Sequence, residues 1–408
     1  ARVDIELAAG SIAGLLAPGA GLAPGTNPAR ASVVELHGAQ VWPGFLDMHT
    51  HLDKGHIWPR AENPDGTFAG ALGAVMADRS ANWSEDDVRR RMEFGLKAAF
   101  AHGTVAMRTH LDSSAPFHGV AWRVFGEMKA AWAGRIALQG ASILPLEQLA
   151  GSFGEELADV VQAAGGALGG VAYCGPNLQA ELDRAFVLAE ARTRDLDFHV
   201  DESLDPGANA LGAIAETALR RRFPGRVVCG HCCSLAVQGE GEIARTLDLV
   251  AEAGIAVVSL PMCNLYLQDR APGRTPRRRG VTLLHELRAR GIAVALASDN
   301  CRDPFHAYGD HDMLEVFSQA VRVAHLDRPV GHWPQAVTRT PADIMGLDGL
   351  GRLAVGAPAD LVLFAARGYS ELLSRPQSDR VVLARGRAID TTPPDYRELD
   401  DLVAGVAA

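Results

Sequence analysis

The chain alternates short, continuous apolar runs with longer stretches whose apolar residues recur at helical spacing. The runs cover residues 44–47, 104–108, 135–141, 168–172, 197–200, 227–230, 255–259 and 292–297. They are rich in Val, Ile and Ala and lack the in–out alternation of a strand with one wet face. Such runs suit strands buried on both faces, as in a parallel sheet. Helical patterns fill the intervals, among them 178–194, 208–222, 240–253, 281–290 and 310–325. Ser84 precedes Glu85, Asp86 and Asp87, a capping hydroxyl followed by acids in the first turn. Gly254 and Gly291 close two of the patterns, as C-terminal glycines do. Eight strands separated by helices predict an α/β fold, a (β/α)8 TIM-type barrel over residues 43–346. The step from 53 to 81 reads as an extended loop carrying Trp58, Pro59, Pro64, Gly66 and Phe68. A long loop at that end of a barrel belongs to the active site.

The ends of the chain follow another pattern. Short alternating segments at 33–36, 361–364 and 381–384, with hairpin-like sequence at 351–356 and 359–364, are set among turn signals. They predict that residues 1–42 and 347–408 join in one small β-sandwich unit beside the barrel.

Composition narrows the function. The apolar fraction is 48% and the charged fraction 22%, ordinary for a globular enzyme. A net charge of −10 argues against a phosphate-backbone binder, so no nucleic-acid partner is expected. The basic run Arg277–Arg279 is too short to change this. No apolar run reaches the roughly 18 residues of a membrane helix, so no membrane partner is expected. The first residues carry Asp4 and Glu6 and lack a basic segment ahead of an apolar one, which predicts no signal peptide. Six cysteines in 408 residues make no disulfide framework, and a cytoplasmic location is expected. Cys229-Gly-His-Cys232 has redox-motif spacing but lies at a strand end inside the long α/β repeat. It reads as buried thiols around a functional His.

The chemistry starts at His49-Thr-His51. Two His at i and i+2 on a strand share a face, and at the end of the first strand that face is the barrel mouth. Alone the triplet is commonplace; the other strand ends give it weight. The fifth ends Phe198-His199-Val200-Asp201-Glu202, the sixth Gly230-His231, the eighth Ala297-Ser298-Asp299-Asn300. His49, His51, His199 and Asp299 offer three imidazoles and a carboxylate, a donor set suited to one Zn2+ or Fe2+ with room for water. Such an ion lowers the pKa of its water to about 7. Glu202 is placed to carry the proton to a leaving nitrogen, or to orient an imidazole. His231 reads as a hydrogen-bonding partner of that water, or as a fifth ligand. Thr109-His110-Leu-Asp112 echoes Thr50-His51-Leu-Asp53 and reads as a support for the site. His56, His306 and His311 are candidates for substrate contact; His102, His118, His285, His325 and His332 read as incidental. Lysine occurs only at Lys54, Lys97 and Lys129. A bridging carboxylated Lys on a later strand is therefore not available, which favours one metal over two.

With these residues assembled, the chain resembles the amidohydrolase superfamily, specifically its cytosine deaminase-like branch. The match runs over nearly the whole chain. It includes Pro43-Gly-Phe-Leu-Asp-Met-His49-Thr-His51-Leu-Asp53-Lys54, Gly66-Thr67-Phe68, Arg108-Thr-His-Leu-Asp112 and His199-Val-Asp-Glu202. It continues through Pro261-Met-Cys-Asn-Leu-Tyr-Leu-Gln268-Asp-Arg270, Arg278-Arg279-Gly280-Val281 and Ser298-Asp-Asn-Cys-Arg-Asp303-Pro304 to Gly356-Ala-Pro-Ala-Asp360. The resemblance implies one Zn2+ or Fe2+ on His49, His51, His199 and Asp299. It also implies a proton shuttle at Glu202, assistance from His231, and a homo-oligomer. The expected reaction is hydrolytic deamination of a cytosine-like or other N-heterocyclic amine, with release of ammonia.

Departures bear on the substrate. The branch carries a Gln after strand three that reads the pyrimidine amide; here that region is Ser142-Ile143-Leu144-Pro145, and Gln139 lies too early on the strand. Asn300 and Phe305 replace an Asp and a Trp. Phe68, Leu144, Asn300 and Phe305 are the candidate substrate contacts. Two other readings stay open: cleavage of an N-alkylamino-triazine or cyclic amide, and a metal-binding barrel without catalysis.

Overall fold

The computed structural model describes residues 2–19 and 32–403. Its strands are β1 (Asp4–Ala8), β2 (Ser11–Leu16), β3 (Gln40–Pro43), β4 (Phe45–Thr50), β5 (Thr104–Asp112), β6 (Ala137–Ile143), β7 (Leu168–Ala172), β8 (Leu196–Val200), β9 (Val227–His231), β10 (Ala256–Ser259), β11 (Val294–Leu296), β12 (Leu361–Phe364), β13 (Val381–Ala384) and β14 (Arg387–Ala388). Each of the eight runs expected as a barrel strand falls on one of β4 to β11.

These eight form two parallel sheets, one of β4-β5-β6 and one of β11-β10-β9-β8-β7. Parallel bridges tie their edges: Ala141 and Pro145 to Ala167 and Val171 on one side, Thr50 to Asp299 on the other. Both faces are apolar, for two reasons. Phe45, Met107, Leu138, Phe198, Cys229, Val257 and Leu296 pack against helix residues such as Leu182 and Phe186. Alternate residues Leu46, Met48, Ala106, Val228, Val258 and Ala295 pack with Ala342, Ile344 and Met345 of the helix Arg339–Met345. This second face also carries the chemistry, because Val228 and Gly230 stand in register with Asp197 and His199.

The two ends of the chain meet in two sheets. β1 and β2 form a separate hairpin, and β3 joins β12, β13 and β14 in a four-stranded antiparallel sheet. Ser11 bridges to Pro358, and Ile12 packs with Ala357 and Leu361. Residues 33–36 form no strand: Val33 and Val34 are 76% and 74% exposed, and the pairing falls on Gln40–Pro43 instead. Residues 351–356 are turn and coil, with Gly351 and Gly356 at positive φ, where a strand cannot continue. Residues 20–31 and 404–408 of the expected β unit lie outside the described residues.

The stretch 53–81 is only half a loop. Its second part is the helix Phe68–Asn82, whose first turn is capped by Thr67 Oγ1 accepting from Gly70 N at 3.0 Å. The pattern at 281–290 shrinks to the helix Leu284–Ala289. Among the described residues no helix is long and apolar enough to cross a membrane. All six cysteines are free thiols, and only Cys174 is exposed.

Candidate active site

β4, β8 and the chain after β11 deliver four donors to one point. His49 Nε2 lies 3.1 Å from His199 Nε2, which lies 3.3 Å from His51 Nε2. Asp299 Oδ1 is 3.2 Å from His51 Nε2 and 3.6 Å from His49 Nε2. One Nε2–H on His199 cannot serve two imidazoles at once, and both Asp299 oxygens are buried without a hydrogen bond. Buried polar atoms are seldom left so; lone pairs converging on a shared cation account for them. Burial pushes all three imidazoles well below the usual His range, as does the charge of neighbouring His. They are therefore neutral and free to ligate. The donor set fits one divalent ion.

Local backbone aims these groups. Asp299 N donates to His49 O at 2.9 Å, and Thr50 Oγ1 donates back to Asp299 O at 2.8 Å. Asp201, His231 and Asp299 all adopt positive φ (49°, 70° and 62°) just at or beyond a strand end. Such conformations cost non-glycine residues about 1–3 kcal/mol and cluster at functional sites. Asp201 turns the chain after β8 and accepts from Ala210 N and Leu211 N at 2.9 and 3.0 Å. That clamp sets the position of Glu202.

Glu202 Oε1 stands 3.3 Å from His231 Nδ1, and Asn264 Nδ2 reaches both, at 3.2 and 3.0 Å. The amide donates, so His231 Nδ1 accepts and the ring proton sits on Nε2. That nitrogen is buried with no partner. Burial, then the Asp299 charge, raises the Glu202 carboxyl well above its ordinary value, with Lys54 opposing. Burial holds His231 down at about 3, so it stays neutral. A carboxyl whose hold on its proton is strengthened, beside an N–H donor, is suited to acid–base chemistry.

His110 lies beside these imidazoles, with a ring nitrogen within 4.8 Å of those of His49, His51 and His199. Its ring is 4.0 Å from the His49 ring, and its Nε2 is 3.1 Å from Asp197 Oδ1. Arg108 Nη1 donates to Asp197 Oδ2 at 2.8 Å. Burial alone would raise the Asp197 carboxyl; His110 and Arg108 outweigh it and bring it below the usual range. Asp197 thus fixes both side chains beneath the site.

The sequence candidates land as follows. His49, His51, His199 and Asp299 cluster, with Glu202 and His231 alongside. The Phe68 and Phe305 rings meet at 5.4 Å. The Asn300 amide donates to Asp303 Oδ2 at 2.5 Å. Leu144 is not brought in: it is 2% exposed within the apolar core, and its carbonyl accepts from Val171 N at 2.8 Å, as a wall residue must. His56, His306 and His311 are buried too, at 4%, 4% and 1% exposure. His311 contacts Thr50 Oγ1 at 3.4 Å, and His306 contacts Asn300 O at 3.1 Å. Gln139 is engaged at both ends, accepting from Arg108 and donating to Met345 O at 2.9 Å. The sequence reading passed over Asn264, Cys263 and Lys54. Cys263 offers its sulfur within 4.8 Å of oxygens on Glu202 and Asp299. The signal for Asn264 and Cys263 was present, since both lie in the quoted 261–270 motif.

This fold and this cluster define a class. Residues 135–389 match the model of the amidohydrolase family, and the chain belongs to that family. Across 403 residues it is 55% identical to the pterin deaminase of Rhizobium rhizogenes (strain K84 / ATCC BAA-868), covering 98% of this chain and 91% of that protein. It is 24% identical to N-isopropylammelide isopropyl amidohydrolase of Pseudomonas sp. (strain ADP), with 87% of each chain covered. Among solved structures it is similar to 5-methylcytosine deaminase from Klebsiella pneumoniae liganded with 5-fluorocytosine. That likeness has a TM-score of 0.83 at 25% identity, over 95% of this chain and 94% of the other. N-isopropylammelide isopropylaminohydrolase from Burkholderia multivorans ATCC 17616 gives a TM-score of 0.77 at 27% identity, with the same coverage. The chain is a hydrolase acting on C–N bonds other than peptide bonds, and the barrel without catalysis is set aside.

Proposed function

We propose that this chain hydrolyses the 2-amino group of a pterin, releasing ammonia and leaving the 2,4-dioxo ring. One divalent ion, Zn2+ or Fe2+, would be held by His49, His51, His199 and Asp299. The observation that carries the ring assignment is the 55% identity to a pterin deaminase across 98% of the chain. It replaces the cytosine expectation, and the site agrees. Gln139, the nearest candidate for reading a pyrimidine amide, is already bonded at both ends. A site without that reader loses its hold on cytosine.

When bound, the ion supplies a Lewis acid that makes water a nucleophile near neutral pH. Glu202 takes the proton from the attacking water, delivers it to the ring nitrogen beside C2, and passes the second to the departing amine. His231 Nε2–H donates to the oxygen that adds at C2. Asn264 holds both groups in register. Water adds and ammonia leaves, with no redox partner.

The same reading takes β4 to β11 as one closed (β/α)8 barrel over residues 43–346, beside a β unit of 1–42 and 347–408. The bridges at both sheet edges support it. Assay of metal-reconstituted protein on pterin, cytosine and N-isopropylammelide tests the proposal. Pterin should release one ammonia per dioxo product and exceed cytosine in kcat/KM by about a hundredfold. Release of isopropylamine with no ammonia from pterin would overturn it.

A further inference from the structure

We propose that the Lys54 ammonium is a specificity-determining contact that donates hydrogen bonds to the oxo edge of the bound heterocycle. The inference rests on the pterin reading above and adds what holds the ring.

Lys54 directly follows Asp53, beyond the end of β4, and its side chain is only 6% exposed. An ammonium carries three N–H donors. Among the described residues, Nζ has one ion pair, with Asp112 Oδ1 at 3.7 Å, and no hydrogen bond. The two acids nearest in sequence and space each have one oxygen engaged elsewhere, and Asp53 Oδ1 is buried without a hydrogen bond. Asp112 Oδ2 accepts from Arg79 Nη1 at 2.9 Å, and Asp53 Oδ2 accepts from Asp112 N at 2.7 Å. Burial works against the charge, but Asp112 and Asp53, then Asp303 and Asp299, outweigh it and keep the group protonated. A residue serving only as counter-ion would close on its carboxylate; this one stands off.

Its surroundings are those of the substrate. The Lys54 charge bears on both Glu202 and Asp299. Nζ lies 5.3 Å from the Phe305 ring centroid, and Phe305 meets Phe68. A charged donor beside two aromatic rings suits a flat, acceptor-rich heterocycle. A pterin presents two neighbouring acceptors, the 4-oxygen and N5, on the edge away from the reacting C2 amine. A compact point charge can serve both. In cytosine the acceptor beside the oxo group is N3, which adjoins the reacting carbon rather than lying away from it.

Lys54→Met, assayed on pterin and on 2-aminopteridine, which lacks the 4-oxygen, separates this role from a structural one. The variant should raise KM for pterin about ten- to a hundredfold, the worth of a charge-assisted hydrogen bond, and change kcat much less. The preference for pterin over 2-aminopteridine should shrink by the same factor, with metal content and Tm unchanged. Asp112→Asn, which removes the carboxylate charge paired with both Lys54 and Arg79, should keep the preference. If Lys54→Met melts early, Lys54→Arg supplies the same ratio, its forked donors fitting the acceptor edge poorly. An equal loss on both substrates overturns the inference while the pterin reading stands. Wild-type protein inert on pterin overturns both.

Discussion

Asp299 carries positive φ, two unbonded carboxylate oxygens and the closest approach to His51, all in one buried residue. Burial pushes its carboxyl up to about 7, a state that a bound cation would reverse. Asp299→Ala and His199→Ala should each lose the ion, read as metal per chain by elemental analysis. Glu202→Gln should keep it and lower kcat by about 10²- to 10⁴-fold, the value of general acid–base catalysis. Asp197 predicts a pH effect. Its folded pKa is depressed, so its stabilisation is full above the unfolded value of about 3.9 and fades as pH falls through the folded one. Asp197→Asn should cost about 3 kcal/mol at neutral pH by leaving Arg108 buried and unpaired. Its denaturation midpoint should also fall less steeply below about pH 4 than that of the wild type. The cluster of His49, His51, His199 and Asp299 was legible because His and acids at strand ends have few structural uses. Lys54 and Asn264 were not, because their roles depend on which groups they stand off from or bridge, and only packing decides that.

Strands were the most readable elements, because burial on both faces leaves no polar position to blur the run. The helix Phe68–Asn82 was missed because Pro64 and Gly66 precede it and its apolar periodicity is weak; the Thr67 cap starts it. The strand expected at 33–36 has the right residues but no partner, whereas Gln40–Pro43 finds β12. Element packing also reaches the site directly. A Cβ on Gly230 of β9 would lie 2.7 Å from His49 Cε1. Gly230→Ala should therefore displace a ligand and weaken metal retention against a chelator while β9 still pairs with β8 and β10. Unchanged metal affinity in that variant would contradict the placement of His49.

At the scale of the molecule, the ends were harder to read than the middle. The barrel strands repeat one pattern, whereas the terminal strand β3 depends on β12, near the other end of the chain. The C-terminal residues also reach back toward the mouth: Arg60 Nη1 donates to Leu402 O at 3.1 Å, and Tyr396 stacks on Phe94 at 5.5 Å. The proposed ion would tie this architecture together, since the residues proposed to hold it come from β4, β8 and the chain after β11. Chelation should lower the melting temperature, and restoring metal at a hundred times its Kd should return about 2.7 kcal/mol of stability. The central claim is that these segments fold around one cation, and anomalous diffraction from metal-loaded crystals at the Zn or Fe edge tests it most directly. The account predicts one peak per chain, about 2.0–2.2 Å from Nε2 of His49, His51 and His199 and from an Asp299 oxygen. No peak there, or a peak held by other residues, would contradict it.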